Sequence, residues 1–114
     1  MAVVNAHHRF VRISALKVRP FATLIRGRTA KEGLEVLRYL PNRGARLLEK
    51  VLKSCMANAE DRGVRNVDNL RIVNATIDGG PTMKRIRPRA RGMAHVIRKR
   101  MAHIHITIEA PELP

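Results

Sequence analysis

Five cationic side chains fall within nine residues in "KRIRPRARG", Lys84 to Gly92, with no acid among them. Guanidinium groups at that density have one chemistry open to them: charge-assisted, often bidentate hydrogen bonding to oxyanions, phosphate above all. Pro88 pushes Arg87 out of helical geometry toward an extended chain. Extended chain alternates its sides, so Arg85, Arg87, Arg89 and Arg91 are expected on one side, about 6.6 Å apart. Gly92 then permits a turn, and "MAHVIRKR" leads back. The expected shape is a long antiparallel hairpin with its tip near Pro88 to Gly92, too basic to bury on either face.

Other reactive residue types offer less. His103 and His105, two residues apart, have no Cys or carboxylate ligands beside them in sequence, so a solvent-facing or phosphate-contacting role is expected and no metal site. The same holds for His7 and His8. Cys55 sits on an apolar helical stripe with no base fixed near it, which marks a core residue and not a nucleophile. The acids fall on helix surfaces or turns, "DGGP" (Asp78 to Pro81) reads as a bend, and no Gly-rich phosphate loop is present. Neither a cofactor nor an enzymatic activity is expected.

The whole chain shares the bias of its most basic stretch. It has 114 residues, 45% hydrophobic, and a formal net charge of +14. That length suits one domain with a small core, and that charge suits a polyanionic partner. Met1 to Lys31 holds seven bases and no acid, Glu32 to Asp78 eight bases and seven acids, and Gly79 to Pro114 eight bases and two acids. A near-neutral centre between two basic arms is the layout of a scaffold that presents cationic surfaces. Solubility alone would be served by mixed signs, yet Gly79 to Ile108 runs for thirty residues without an acid. No run approaches a membrane-spanning length, and "MAVVNAHHRF" lacks a signal-peptide layout. A single cysteine excludes an internal disulfide and fits a reducing compartment. Nucleic acid is therefore the expected partner, and no membrane.

The positioning elements read as follows. "SALKVRPFATLIRG" is a helix opened by Ser14, with Val18, Phe21, Ala22 and Ile25 on one face and a stop at Gly27. Pro20 inside it predicts a kink or an early tightening. "TAKEGLEVLRYL" starts with a capping box, Thr29 to Glu32, and carries Ala30, Leu34, Leu37 and Leu40 as a stripe. "NRGARLLEKVLKSCMANAEDRG" is the longest helix, with Leu48, Val51, Leu52, Cys55 and Ala59 inward and Gly63 as its stop. "HHRFVRI", "NLRIVNATI" and "HIHITI" read as strands, the last alternating Ile104, Ile106 and Ile108 against His103, His105 and Thr107. The fold class is α+β: three helices on a small three-stranded antiparallel sheet, with a long protruding basic β-hairpin. One domain spans 1–114, its globular part about 1–80 plus 102–110 and its arm about 81–101.

Aromatics make up 3% of the chain, so platforms for stacking single-stranded bases are missing. Zinc-finger pairs, zipper heptads and a recognition-helix signature are missing too. Recognition through backbone charge and shape follows, and a folded RNA with deep crevices suits a thin basic arm. The residues expected to contact RNA are Arg9, Arg12, Lys17, Arg19 and Arg26 of the first part, Lys84, Arg85, Arg87, Arg89 and Arg91 of the outgoing strand and tip, and Arg98, Lys99, Arg100 and His103 of the return. A free nucleoid or DNA-architectural protein would account for the charge alone.

The stretch "GPTMKRIRPRARGMAHVIRKRMAHI" resembles the hairpin signature of ribosomal protein twenty-two of the large subunit, in its bacterial form. "SALKVRPFATLIRG" resembles that family's first-helix signature and "CMANAE" the end of its third helix, and the likeness runs from about Arg9 to Ile108. Pro20, Met93 and the pair Met101–Ala102 depart from its usual residues. The resemblance implies a structural constituent of the cytoplasmic ribosome that binds large-subunit (23S-type) rRNA, touches neighbouring ribosomal proteins and assists subunit assembly. It also implies a hairpin tip, at Arg91, Met93 and Ala94, lining the tunnel that the nascent polypeptide leaves by. The loop near Met83, Lys84 and Arg85 is where the family alters macrolide sensitivity. No homo-oligomer is implied.

Overall fold

The computed structural model describes residues 2–111. Element order is β1 (Ala2–Val11), α1 (Ala15–Ile25), α2 (Ala30–Tyr39), α3 (Arg43–Asp61), a short 3₁₀ turn (Val67–Asn69), β2 (Ile72–Pro88) and β3 (Ala94–Ala110), with a second 3₁₀ turn at Ala90–Gly92. The strands form one antiparallel sheet in the order β1-β3-β2. This is the expected α+β arrangement of three helices on a three-stranded sheet. The molecule is drawn out, 64 × 27 × 18 Å, because β2 and β3 continue together past the body.

The core lies between one sheet face and the helices. β3 alternates buried and half-buried residues from Met101 to Ala110, sending Ala102, Ile104, Ile106 and Ile108 inward. Against them pack Val18, Ala22 and Ile25 of α1, Leu37 of α2, and Leu48, Val51, Leu52, Cys55 and Ala59 of α3. Two periodicities, 2 on the sheet and 3.6 on the helices, meet in one apolar layer. Cys55 is fully buried, and burial pushes its thiol up from 9.0 to about 11. It is a core residue.

Local sequence explains most boundaries. Thr29 accepts the Glu32 amide as the N-cap of α2, the first half of the capping box. Gly63, at φ 95°, ends α3. Gly33 is buried where α2 meets the sheet, and a Cβ there would come within 2.8 Å of Ile72 Cδ1 and 3.2 Å of Leu52 Cδ2. α1 runs unbroken through Pro20. Pro20 and Leu16, whose carbonyl loses its donor, are both exposed, so water can satisfy the freed acceptor. Tightening appears instead at the start, where the Lys17 amide bonds the Ser14 carbonyl at 3.1 Å.

β1 starts at Ala2, five residues before the strand read from sequence, and carries a bulge. His8 pairs with Ile104 and Val11 with Ala102, so Arg9 and Phe10 together oppose His103. Phe10 takes φ 59°, and its amide donates to His103 Nδ1 at 3.1 Å.

Both sheet edges are covered by helix groups. Along β2, Arg19 Nε donates to the Ile77 carbonyl at 3.2 Å, Arg26 Nε to Ala75 at 2.8 Å and the Gly27 amide to Ile72 at 2.9 Å. Along β1, Asn58 donates to the Asn5 carbonyl at 3.0 Å and Arg62 to Val3 at 3.1 Å. Such caps remove the free carbonyls on which another chain would build.

Candidate nucleic-acid interface

The arm begins where burial stops. From Asp78 to Met101 no residue is buried, although β2 and β3 stay paired from Thr82–Arg100 to Pro88–Ala94. A register shift between Gly79 and Thr82 marks its root. The ribbon presents cations on both faces. Arg85 and Arg87 pair with Ile97 and His95 on one face, with Lys99 opposite Met83 below them. Lys84 and Arg98 form a pair on the other, beneath the exposed apolar pair Ile86 and Val96. Like charges directly opposite repel, so the pair Lys84–Arg98 weakens the ribbon until an anion lies between them.

The tip corrects one expectation. Arg85 and Arg87 share a side, but pairing ends at Pro88, and left-handed Arg91 breaks the alternation. The chain turns through Ala90–Gly92, closed by the Arg89 amide on the Met93 carbonyl at 2.6 Å. Arg91 at φ 63° and Gly92 at φ 70° are both left-handed. Arg89 and Arg91 are exposed at the turn, with exposed Met93 and Ala94 beside them.

At the root, cations from distant parts of the chain converge. A cleft of about 370 Å³ is lined by Ser14 and six bases: Arg12, Lys17, Arg85, Arg98, Lys99 and Arg100. Arg12 comes from the link after β1, Lys17 from α1, Arg85 from β2 and the rest from β3. No acid lines it. α1 also opens here without an acid in its first turn, so its positive end adds to the field. A concave surface of one sign focuses potential and draws in anions. Sequence offered the six bases singly; Ser14 and the cleft itself emerge only when β1, α1 and the arm are placed together.

The remaining expected contacts are dispersed. Arg9 is exposed at the β1 bulge. His103 stacks edge-on against Phe10, with ring centroids 5.0 Å apart, and spends its Nδ1 on the Phe10 amide. Arg19 and Arg26 spend their Nε on the β2 edge and keep the outer ends of their guanidinium groups. Their signal was available: both flank the buried Val18, Ala22 and Ile25 on α1, within reach of an edge.

The ion pairs among the described residues lie elsewhere. Arg38, Arg46 and Lys53 gather on Glu49, and His105 on Asp78. None takes up a cation of the arm or the root cleft, so these charges stay available to an external anion. No helix is long and apolar enough to cross a membrane, among the described residues.

Comparison with known proteins agrees with this geometry. Residues 6–109 match the family described as ribosomal protein L22p/L17e. A large ribosomal subunit protein uL22 from Rhodopirellula baltica is 50% identical over 111 residues, covering 93% of each chain. Proteins of the same description from Desulfosudis oleivorans and Caldicellulosiruptor saccharolyticus are 47% and 48% identical, covering 95% and 91% of this chain and 94% and 85% of theirs. The match spans body and arm alike, and the chain belongs to the ribosomal protein L22p/L17e family.

Proposed function

We propose that this protein is a structural constituent of the large ribosomal subunit in the cytoplasm, which holds rRNA through its root cleft and arm. The observation that carries the reading is the arm itself: eight bases and no acid between Gly79 and Ile108, on a ribbon with no buried residue from Asp78 to Met101. The family supplies the setting. Within it, the body (about 1–80 plus 102–110) sits against the rRNA surface through Arg9, Arg12, Lys17, Arg19, Arg26 and His103. The arm (about 81–101) enters a crevice, engaging phosphates with Lys84, Arg85, Arg87, Arg89, Arg98, Lys99 and Arg100.

The tip residues Arg91, Met93 and Ala94 line the tunnel and meet the nascent polypeptide. Neighbouring large-subunit proteins complete its surroundings, and it acts as a single copy, without catalysis. Binding of this kind releases counterions and is steeply salt-dependent. Tagged protein should co-sediment with large subunits and resist a moderate-salt wash. Recovery only in the free fraction, or on duplex DNA in preference to rRNA at matched salt, would overturn the reading.

A further inference from the structure

Within β1, Phe10 alone is left-handed, at φ 59°. That region is costly for any residue with a Cβ, and more so for a bulky one. The bulge that sets it, Arg9 and Phe10 together opposite His103, could be built around glycine, which takes the conformation freely. Here it turns a phenyl ring outward instead, and Phe10 is 61% exposed beside the buried Val11. Two contacts fix that ring. The Phe10 amide donates to His103 Nδ1 at 3.1 Å, and the rings meet edge-to-face, with centroids 5.0 Å apart and planes at 89°. His103 lies between Ala102 and Ile104, which point into the core, so the pair stands on the opposite face of the sheet. Edge-to-face packing takes at most one face of the phenyl ring, so a flat apolar face stays open.

We infer that Phe10 is a stacking platform for one unpaired nucleobase of the RNA, with Arg9 and Arg12 on the phosphates to either side. On the rRNA reading, on which this depends, a nucleobase contact joins an interface otherwise made of charge.

The charge around the ring selects this occupant. Arg9 and Arg12 are exposed on either side of Phe10 in the chain, and Arg12 also lines the root cleft. No acid occurs from Met1 to Lys31. Asp78, beyond His103 on β2, has its carboxylate on His105 Nε2 at 3.2 Å. An apolar protein surface would leave both guanidinium groups unmatched. A nucleotide brings a flat apolar face with a phosphate at each end, which matches the ring and both cations. Because His103 fixes the ring beforehand, little freedom is lost on binding. Three aromatics in the chain are too few for a broad platform, but one nucleobase needs one ring.

The chain contains no tryptophan, so Phe10→Trp in the full protein places a single fluorescent reporter on the platform. A large-subunit rRNA transcript should quench it through stacking. Polyphosphate, an anion without nucleobases, should bind and leave it bright. Phe10→Ala should lower affinity for the transcript by about 5–150-fold. The slope of log affinity against log salt should stay as in the parent, because stacking releases no counterions. Parental affinity in Phe10→Ala, with the parent binding the transcript, would overturn the platform and leave the rRNA reading standing. A parent that does not bind the transcript would overturn both. Equal quenching of Phe10→Trp by polyphosphate would show that charge alone moves the signal, against the platform. A signal that responds only in whole subunits, and not on the bare transcript, would give the ring to a neighbouring protein and also overturn it.

Discussion

Arg26 Nε donates a 2.8 Å hydrogen bond to the carbonyl of Ala75, so a cation proposed to meet RNA also closes the free edge of β2. One guanidinium has two jobs, and a lysine can do only one of them. Arg26→Lys keeps the charge but loses the planar Nε–H that fits beneath the strand. The expected cost is about 1 kcal/mol of stability, the net worth of one such bond. Thermal melting should show a fall of about 4 to 8 °C, while the salt dependence of rRNA binding should stay as in the parent. Unchanged melting would show that the edge bond contributes nothing.

Neutralising the arm should do the reverse. Changing Arg85, Arg87, Arg89 and Arg91 to Gln removes four cations from an exposed ribbon and tip that no acid holds among the described residues. The slope of log affinity against log salt should flatten by about 3 units, at 0.7–0.9 per phosphate contact. The melting temperature should hold or rise, since repulsion along the ribbon falls. A slope equal to that of the parent would place the RNA contacts elsewhere.

The root cleft and the tip should separate in function. Arg98→Glu reverses one charge among six that converge in the cleft and should weaken rRNA binding and slow subunit assembly. Arg91→Glu changes a residue of the turn, beyond the last strand pair Pro88–Ala94. Subunits carrying it should assemble, with altered passage of some nascent chains or altered macrolide sensitivity. Crosslinks from position 91 reaching only proteins of the outer ribosome surface would contradict the tip assignment.

Much of this was legible in the chain because it rests on short-range pattern. Val18 to Ala59 repeats at helical spacing, Ile104, Ile106 and Ile108 alternate, and Pro88 with Gly92 brackets a turn. The misses share one cause: a partner far away in sequence. Arg19 and Arg26 find Ile77 and Ala75 only once α1 lies along β2. His7 finds His105 only through the register of β1 on β3, whereas sequence spacing drew attention to His103 beside His105. Arg91 left its row because a two-residue alternation assumes the strand goes on, and the turn ends it.

Cys55 gives the protein an alkaline weakness. Its thiol is fully buried, and burial lifts it to about 11 from 9.0. The folded pKa exceeds the unfolded one, so below pH 9 both states hold the proton and stability is undiminished. Between about pH 9 and about pH 11 the unfolded thiol ionises first, and stability falls with rising pH. Cys55→Ala should flatten that part of the profile relative to the parent, at the cost of a small cavity. Denaturant titrations of both proteins across this range provide the comparison; parallel profiles would show that the thiol is not the titrating group. The same burial should make the native thiol slow toward alkylating reagents.

Removing the arm tests whether fold and function divide along the chain as their burial does. Deleting Lys84 to Arg98 and inserting Asn-Gly joins Met83 to Lys99, which already face one another in register. A two-residue Asn-Gly turn closes such a pair with the twist that antiparallel strands require. The deleted residues include no buried side chain, and every member of the apolar core remains. Burial of that core is the main stabilising term, and the lost cations repel one another in the free protein. The shortened chain should therefore unfold cooperatively, with a melting temperature within a few degrees of the parent or above it, given about 4 to 8 °C per kcal/mol. In the intact chain, free of the ribosome, proteases should cut first within this same stretch, which has few contacts to lose on opening. The deletion keeps Arg12, Lys17, Lys99 and Arg100 of the root cleft, so weak rRNA binding should survive while normal subunit assembly fails. A broad, non-cooperative melt would mean that the arm belongs to the core, and assembly at the parental rate would mean that rRNA does not need it.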